Sequence, residues 1–267
     1  RVTALLQSNY EIVRQGRMER PYSGAIDCFV RIKDQEGILS FWRGNSIHLT
    51  RSIVSTSFQF VVRDKYSSML KNYFQSNGAI KPVIANIMAG SLAGATSLLI
   101  TYPFQLGYTK RAVDVLAPET GMTRQYKGVT DIWKKVVEVD GIRGLYRGLG
   151  IALGGAILHR GIYFGLYDST KGLVKTRDSM AAAFALGSGV TLIAGAATYP
   201  IGLLQQRLMV TTGLGLIYNS AWHASIEIFK KEGAREFYRG YAFILVQALG
   251  GGALLAGYDI IRGILNE

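Results

Sequence analysis

The sequence predicts an all-α membrane protein, with six transmembrane helices arranged in three pseudo-symmetric repeats and a short surface helix in each. Three observations predict it. The 267 residues are 49% apolar yet carry 30 Lys and Arg against 18 Asp and Glu, so a mean hydropathy of +0.18 coexists with a net charge of +12. Apolar spans joined by basic loops produce that combination more readily than a soluble domain does. Apolar stretches long enough to cross a hydrocarbon core of about 30 Å recur along the chain. One set of landmarks also returns three times, which is the mark of a repeat architecture.

The landmarks fix the period. Tyr22, Tyr126 and Tyr218 open three similar blocks, and fourteen residues after each comes an acid followed by glycine: Glu36-Gly37, Asp140-Gly141 and Glu232-Gly233. Seven residues after each acid stands the arginine of an aromatic-Arg-Gly triplet, Trp42-Arg43-Gly44, Tyr146-Arg147-Gly148 or Tyr238-Arg239-Gly240. An Asp then ends an apolar span at 64, 168 and 259. The repeats so defined cover residues 1–76, 77–178 and 179–267.

The segments 85–106, 149–167, 180–205 and 241–258 read as spans, and 47–62 as a weaker one interrupted by His48, Arg51 and Gln59. A helix with such a polar face suits a water-filled cavity. Gly90 with Gly94 and Gly150 with Gly154 have the spacing that lets helices approach closely in lipid. Between each pair of spans an amphipathic stretch such as 128–137 can lie at the membrane surface. The opening Arg1-Val2-Thr3-Ala4-Leu5-Leu6-Gln7 reads as the second half of the first helix, its first half expected N-terminal to it, and no cleavable signal is visible.

Composition also excludes. A single cysteine, Cys28, rules out an internal disulfide or a cysteine-cluster metal site and reads as a small buried hydrophobe. His48, His159 and His223 lack metal-site spacing, and no cofactor is implied. No nucleic-acid-binding pattern appears, and no nucleophile or acid/base constellation points to an enzyme.

Three repeats of about a hundred residues, each with two spans and a surface helix, resemble the mitochondrial carrier family. Within it, the blocks 21–29, 41–45 and Arg160-Gly161-Ile162-Tyr163-Phe164-Gly165-Leu166-Tyr167-Asp168 look like the ADP/ATP carriers. The resemblance implies a multi-pass protein of the mitochondrial inner membrane, a barrel of six tilted helices around a central cavity, and exchange of ADP for ATP by alternating access. It further implies cardiolipin at the matrix-side helix N-termini, at Arg43-Gly44, Arg147-Gly148 and Arg239-Gly240. Helix N-termini hold phosphate through free N–H groups and the dipole.

Alternating access needs a gate on each side. The family's cytoplasmic gate is matched by Asp168 with Lys171 and Asp259 with Arg262, while Asp64 has Ser67 where a base belongs. The family's matrix gate is an acid and a base following a helix-kinking proline. Here Gln105 and Tyr108 follow Pro103, Gly202 and Gln205 follow Pro200, and Thr3 takes the first repeat's base position. All five positions are neutral. A chain without that ionic lock is expected to rest with the cytoplasmic gate closed, or with no defined lock.

For the substrate, the resemblance assigns Arg51, Gly155, His159, Tyr163 and Arg207, with Gln206 and Gln247 standing where cations are usual. Charge is a carrier's main handle on a nucleotide. Three readings therefore stand together: an active ADP/ATP exchanger, a carrier of another solute, and a carrier fold retained as a non-transporting subunit of a larger inner-membrane complex. Degeneration confined to the transport machinery, with the fold motifs whole, favours the last.

Overall fold

The computed structural model describes residues 1–76, 82–116, 123–170, 180–215 and 218–246. Among them every regular element is helical. The chain opens on α1 (Val2–Gln7) and α2 (Asn9–Arg14), followed by α3 (Ala25–Glu36), α4 (Asn45–Ser76), α5 (Pro82–Val113), α6 (Val129–Gly144), α7 (Leu149–Thr170), α8 (Met180–Thr211) and α9 (Ala221–Lys231). Residues 241–246 begin one more helix. Two helices, Leu149–Thr170 and Leu186–Thr211, are apolar enough to cross a membrane on composition alone, each at a mean hydropathy of 1.3. At 32 residues apiece, α4 and α5 are about 48 Å long but interleave polar side chains with apolar ones.

The surface helices repeat in detail. Six and ten residues after each landmark tyrosine sit the pairs Cys28 and Ile32, Ile132 and Val136, and Ala224 and Ile228, all buried. Their i, i+4 spacing places one apolar stripe against the bundle. Ser220 Oγ caps α9 by accepting from His223 N–H at 3.1 Å, satisfying an N–H left over at a helix end, while first-turn carboxylates of α3 and α6 hold the segments before them, Asp27 Oδ2 accepting from Ser23 N–H at 2.9 Å and Asp131 Oδ2 from Lys127 N–H at 3.0 Å. A glycine at positive φ then interrupts the helix, Gly37, Gly141 or Gly233, and Gly141, at φ +70°, kinks the chain within α6. The triplet glycines Gly44, Gly148 and Gly240 sit at φ +85°, +87° and +86°, a backbone that residues with a Cβ rarely adopt, and each turns the chain into the helix that follows.

Most of the core lies where the triplets are. There α1 packs on the C-terminal parts of α5 and α8, with Val2, Leu5, Leu6, Ile12, Ala112, Val113 and Val210 in one buried cluster. Away from that end, α4 and α5 share a long seam. Ala85, Ala89, Ala93, Ser97 and Thr101, at every fourth position of α5, are all buried, and small side chains permit close approach. Hydroxyls stitch the seam: Ser55 to Ser97 at 2.9 Å, Tyr66 to Thr96 at 3.1 Å, and Ser67 Oγ donating to Asn86 Oδ1 at 3.2 Å. Helices α7 and α8 form the corresponding second pair. Val61, Met69 and Ile157 are exposed.

Cys28 has no solvent exposure, and burial pushes its thiol up to about 12. The thiolate is the reactive form. Alkylation at pH 8 followed by mass spectrometry should therefore be slower by at least about a hundredfold in the folded protein than in denaturant. Comparable rates would place α3 off the bundle.

Candidate functional site: a cavity and its closed end

A cavity of about 740 Å³ opens between α4, α5 and α7. Gln59, Phe60 and Arg63 line it from α4, Asn86 and Ser91 from α5, and Arg160 and Phe164 from α7. Arg63 and Arg160 thus face one space from two helices, and the Arg160 guanidinium lies 3.5 Å from where a Cβ on Gly94 would stand. Sequence reasoning missed both. Their signal was present, since Arg63 abuts Asp64 and Arg160 opens the block ending at Asp168. Arg51, twelve residues before Arg63 on α4, is half-buried, and its Nε is buried with no hydrogen-bond partner.

The other substrate expectations fare differently. Tyr163 stacks on Tyr167, with ring centroids 6.1 Å apart and 7° between planes. His159 Nδ1 lies 3.1 Å from Thr198 Oγ1, which ties α7 to α8. Gly155 faces α8, where a Cβ would come within 2.9 Å of Ile201 Cγ2, so this glycine lets two helices pack. Arg207 does not line the cavity at all. Its side chain has 0% exposure: Nη1 and Nη2 pair with Glu232, Nη2 lies 3.3 Å from Glu236, and Nε donates to the Gln7 carbonyl at 3.0 Å. A fourth carboxylate oxygen, on Glu11, stands 3.8 Å away. In this structure Arg207, expected to contact nucleotide, is enclosed by carboxylates instead. Its donors hold α8 to α1 and α9, and breaking such a buried pair costs about 3–5 kcal/mol.

The five neutral positions lie on α1, α5 and α8, the helices that pack together at the triplet end. Thr3, Gln105, Tyr108 and Gln205 are half-buried and Gly202 is exposed. The sequence leads to the expectation of a closed cytoplasmic gate or no defined lock; in this structure α1, α5 and α8 pack together at the triplet end. Tyr108 lies against Gly44, its Cδ2 3.3 Å from where a Cβ would stand, and its ring centroid is 5.2 Å from that of His48.

The far ends hold the other expected gate. Asp64 and Asp168 are each the twentieth residue of the helix that follows a triplet, about 28 Å along the axis from its start, and both are exposed. Lys171, Gln247, Asp259 and Arg262 lie outside the described residues.

The triplet arginines are the side chains expected to contact lipid. Arg43 pairs with Asp114 at 3.0 Å, Arg147 donates to the Tyr218 carbonyl and Arg239 to the Tyr22 carbonyl. These three side chains thus also make contacts inside the protein. Beside Gly44 remains a hollow of about 390 Å³, lined by Trp42, Arg43, Ser46, Arg111 and Arg124 among others.

Long helices around a basic cavity, packed shut at one end by three of them, form the architecture of a helical carrier. The chain belongs to the mitochondrial carrier protein family, which it matches over residues 2–74, 80–178 and 176–267. It is 37% identical to the ADP,ATP carrier protein of Neurospora crassa over 99% of this chain and 86% of that one. It is 38% identical to the ADP,ATP carrier protein of Chlamydomonas reinhardtii, covering 99% and 87%. Similarity extends to the ADP,ATP carrier protein ER-ANT1 of Arabidopsis thaliana, at 37% over 99% and 87%.

Gly155→Val should destabilise the protein by about 1–3 kcal/mol through overpacking, read as a lowered Tm in detergent, and Ile201→Ala in the same chain should recover most of the loss. If Ile201→Ala adds its own loss instead, Gly155 does not set the α7–α8 distance. Arg207→Met leaves three carboxylates without their cation and should cost about 3–5 kcal/mol at pH 7.5. Crowded carboxylates take up protons more readily, so the deficit should shrink as the pH is lowered toward 5.

Proposed function

We propose that this chain crosses the mitochondrial inner membrane six times as three carrier repeats, holds its matrix end closed, and serves as a non-transporting carrier-fold subunit of a larger inner-membrane complex. One observation carries the proposal: the five positions where the family's matrix gate is charged hold Thr3, Gln105, Tyr108, Gly202 and Gln205, and α1, α5 and α8 pack together there all the same. An ionic gate forms in one state and dissolves into water in the other, so it is reversible at small cost. Each exposed pair is worth only about 1 kcal/mol, but several act on one equilibrium, and about 5.5 kcal/mol turns a 1:99 population into 99:1. Replacing ions by a packed tyrosine and amides removes the part that water can take back. The loss of Arg207 from the cavity reduces its grip on phosphate further.

In this reading the triplet ends face the matrix, and anionic lipid, with cardiolipin as the family expectation, occupies the hollow by Gly44 and its counterparts at Gly148 and Gly240. A helix N-terminus beside arginines is suited to phosphate. The far gate at Asp64, Asp168, Lys171, Asp259 and Arg262 faces the cytoplasm.

A second reading has its own observation. Arg51, Arg63 and Arg160 leave three cations for an anionic solute, and the relatives are named ADP/ATP carriers, so ADP/ATP exchange is the alternative. Purified protein in cardiolipin-containing liposomes decides between them. The expected result is no ADP/ATP exchange above empty liposomes and copurification of native protein in fixed stoichiometry with a large membrane complex. Saturable exchange abolished by Arg51→Ala would establish the exchanger instead.

A further inference from the structure

The three triplet arginines join the repeats head to tail. Arg239, in the third, donates to the carbonyl of Tyr22, the landmark tyrosine of the first. Arg147, in the second, donates to the carbonyl of Tyr218, the landmark of the third. Arg43, in the first, reaches the second, where Nη2 meets Asp114 Oδ2 at 3.0 Å and Nε donates to the Arg111 carbonyl at 3.3 Å. At that joint the Tyr126 carbonyl is already taken by Arg111, and Asp114 supplies the acceptor in its place. The receiving segments are themselves fixed. Asn9 clamps Tyr22 through both backbone N–H and carbonyl at 2.9 Å, and Asp114 holds Tyr126 N–H at 3.3 Å and Gln125 N–H at 3.0 Å. Each arginine stands one residue before the glycine that turns into the next helix, so the donor rides on one repeat and the acceptor on the next.

From this geometry we infer that the triplet end is held shut by a closed ring of three arginine clasps, which take over the work of an ionic gate; the inference rests on the proposed reading that this end stays closed. The ring is cyclic, first to second, second to third and third to first, so no joint can widen without breaking a clasp. Guanidinium-to-carbonyl bonds differ from ion pairs in their response to salt. Two of the three acceptors are neutral, and the third, Asp114, is buried beneath Arg17 and Arg43. Added electrolyte screens exposed charge pairs and leaves buried, directed hydrogen bonds nearly intact. The lock is therefore one that ionic strength does not open.

The test uses the full chain in sealed liposomes of one orientation, with Gly202→Cys as the reporter. A Cβ at Gly202 meets nothing within 4 Å, and buried Cys28 adds no background. A membrane-impermeant maleimide should label the reporter from the cavity side only, and 0.5 M KCl, a condition of the experiment, should not change this. With Arg43, Arg147 and Arg239 all changed to Gln, labelling from the triplet side should rise by at least about tenfold, the scale of one charged hydrogen bond. If that variant does not fold, Arg239→Gln alone opens one joint of the three and should give the same direction of change. Unchanged labelling in a folded variant overturns the clasp ring, as does opening of the unmodified end by salt alone. Nucleotide exchange by the unmodified chain would instead overturn the non-transporting reading, and the two failures are read on separate assays.

Discussion

Burial of charge at the ends where the helices converge is the interaction on which the rest depends. Asp114, with no exposed side-chain surface, accepts from two guanidiniums and two backbone N–H groups. Arg207, equally buried, is spread over Glu11, Glu232 and Glu236. Taking such groups out of water costs several kcal/mol each unless every donor and acceptor is matched, so the surrounding segments have little freedom once the charges are in place. Arg1 extends the same logic, bonding Glu36, the Ser40 carbonyl and the Ala112 carbonyl at once. The apolar clusters fill space around these centres, while the centres decide which elements meet.

Much of the architecture was legible because the repeat is written in residues whose roles are backbone roles. The glycine that closes each triplet must be glycine to reach positive φ, and it appears as glycine three times. The surface helices were legible for a related reason, since an i, i+4 stripe has to recur wherever the same face meets the same bundle. The cavity was less so. Arg207 looks on paper like the survivor of a cationic run, and nothing in its neighbours along the chain reveals that its partners are Glu232 and Glu236, more than twenty residues on, and Glu11, near the opposite end. Gly155 looks like room for a ligand, and only three-dimensional packing shows Ile201 in that room. Arg63 and Arg160 escaped notice because each belongs to a motif whose other members drew the attention.

Neutral residues at a gate are read from sequence as a missing interaction. In the structure Thr3, Gln105, Tyr108 and Gln205 are half-buried and Gly202 is exposed. Tyr108 is larger than the contact it replaces requires, and it finds Gly44 and His48 beside it. A charge lost from an ion pair need not leave a gap, and the difference between an open joint and a rigid one lies in side-chain volume, which charge-based motifs do not record.

The seam between α4 and α5 carries a consequence for how such a molecule came to be and how it deforms. Helix α4 follows the first triplet and α5 precedes the second landmark tyrosine, so the seam of Ala85, Ala89, Ala93 and Ser97 binds the tail of one duplicated unit to the head of the next; α7 and α8 do the same one unit later. The repeated segment and the closely packed helix pair are therefore offset by a helix. Mutations that look local to one repeat are felt mechanically in its neighbour, and a cut between copies would run through the tightest contact in the bundle.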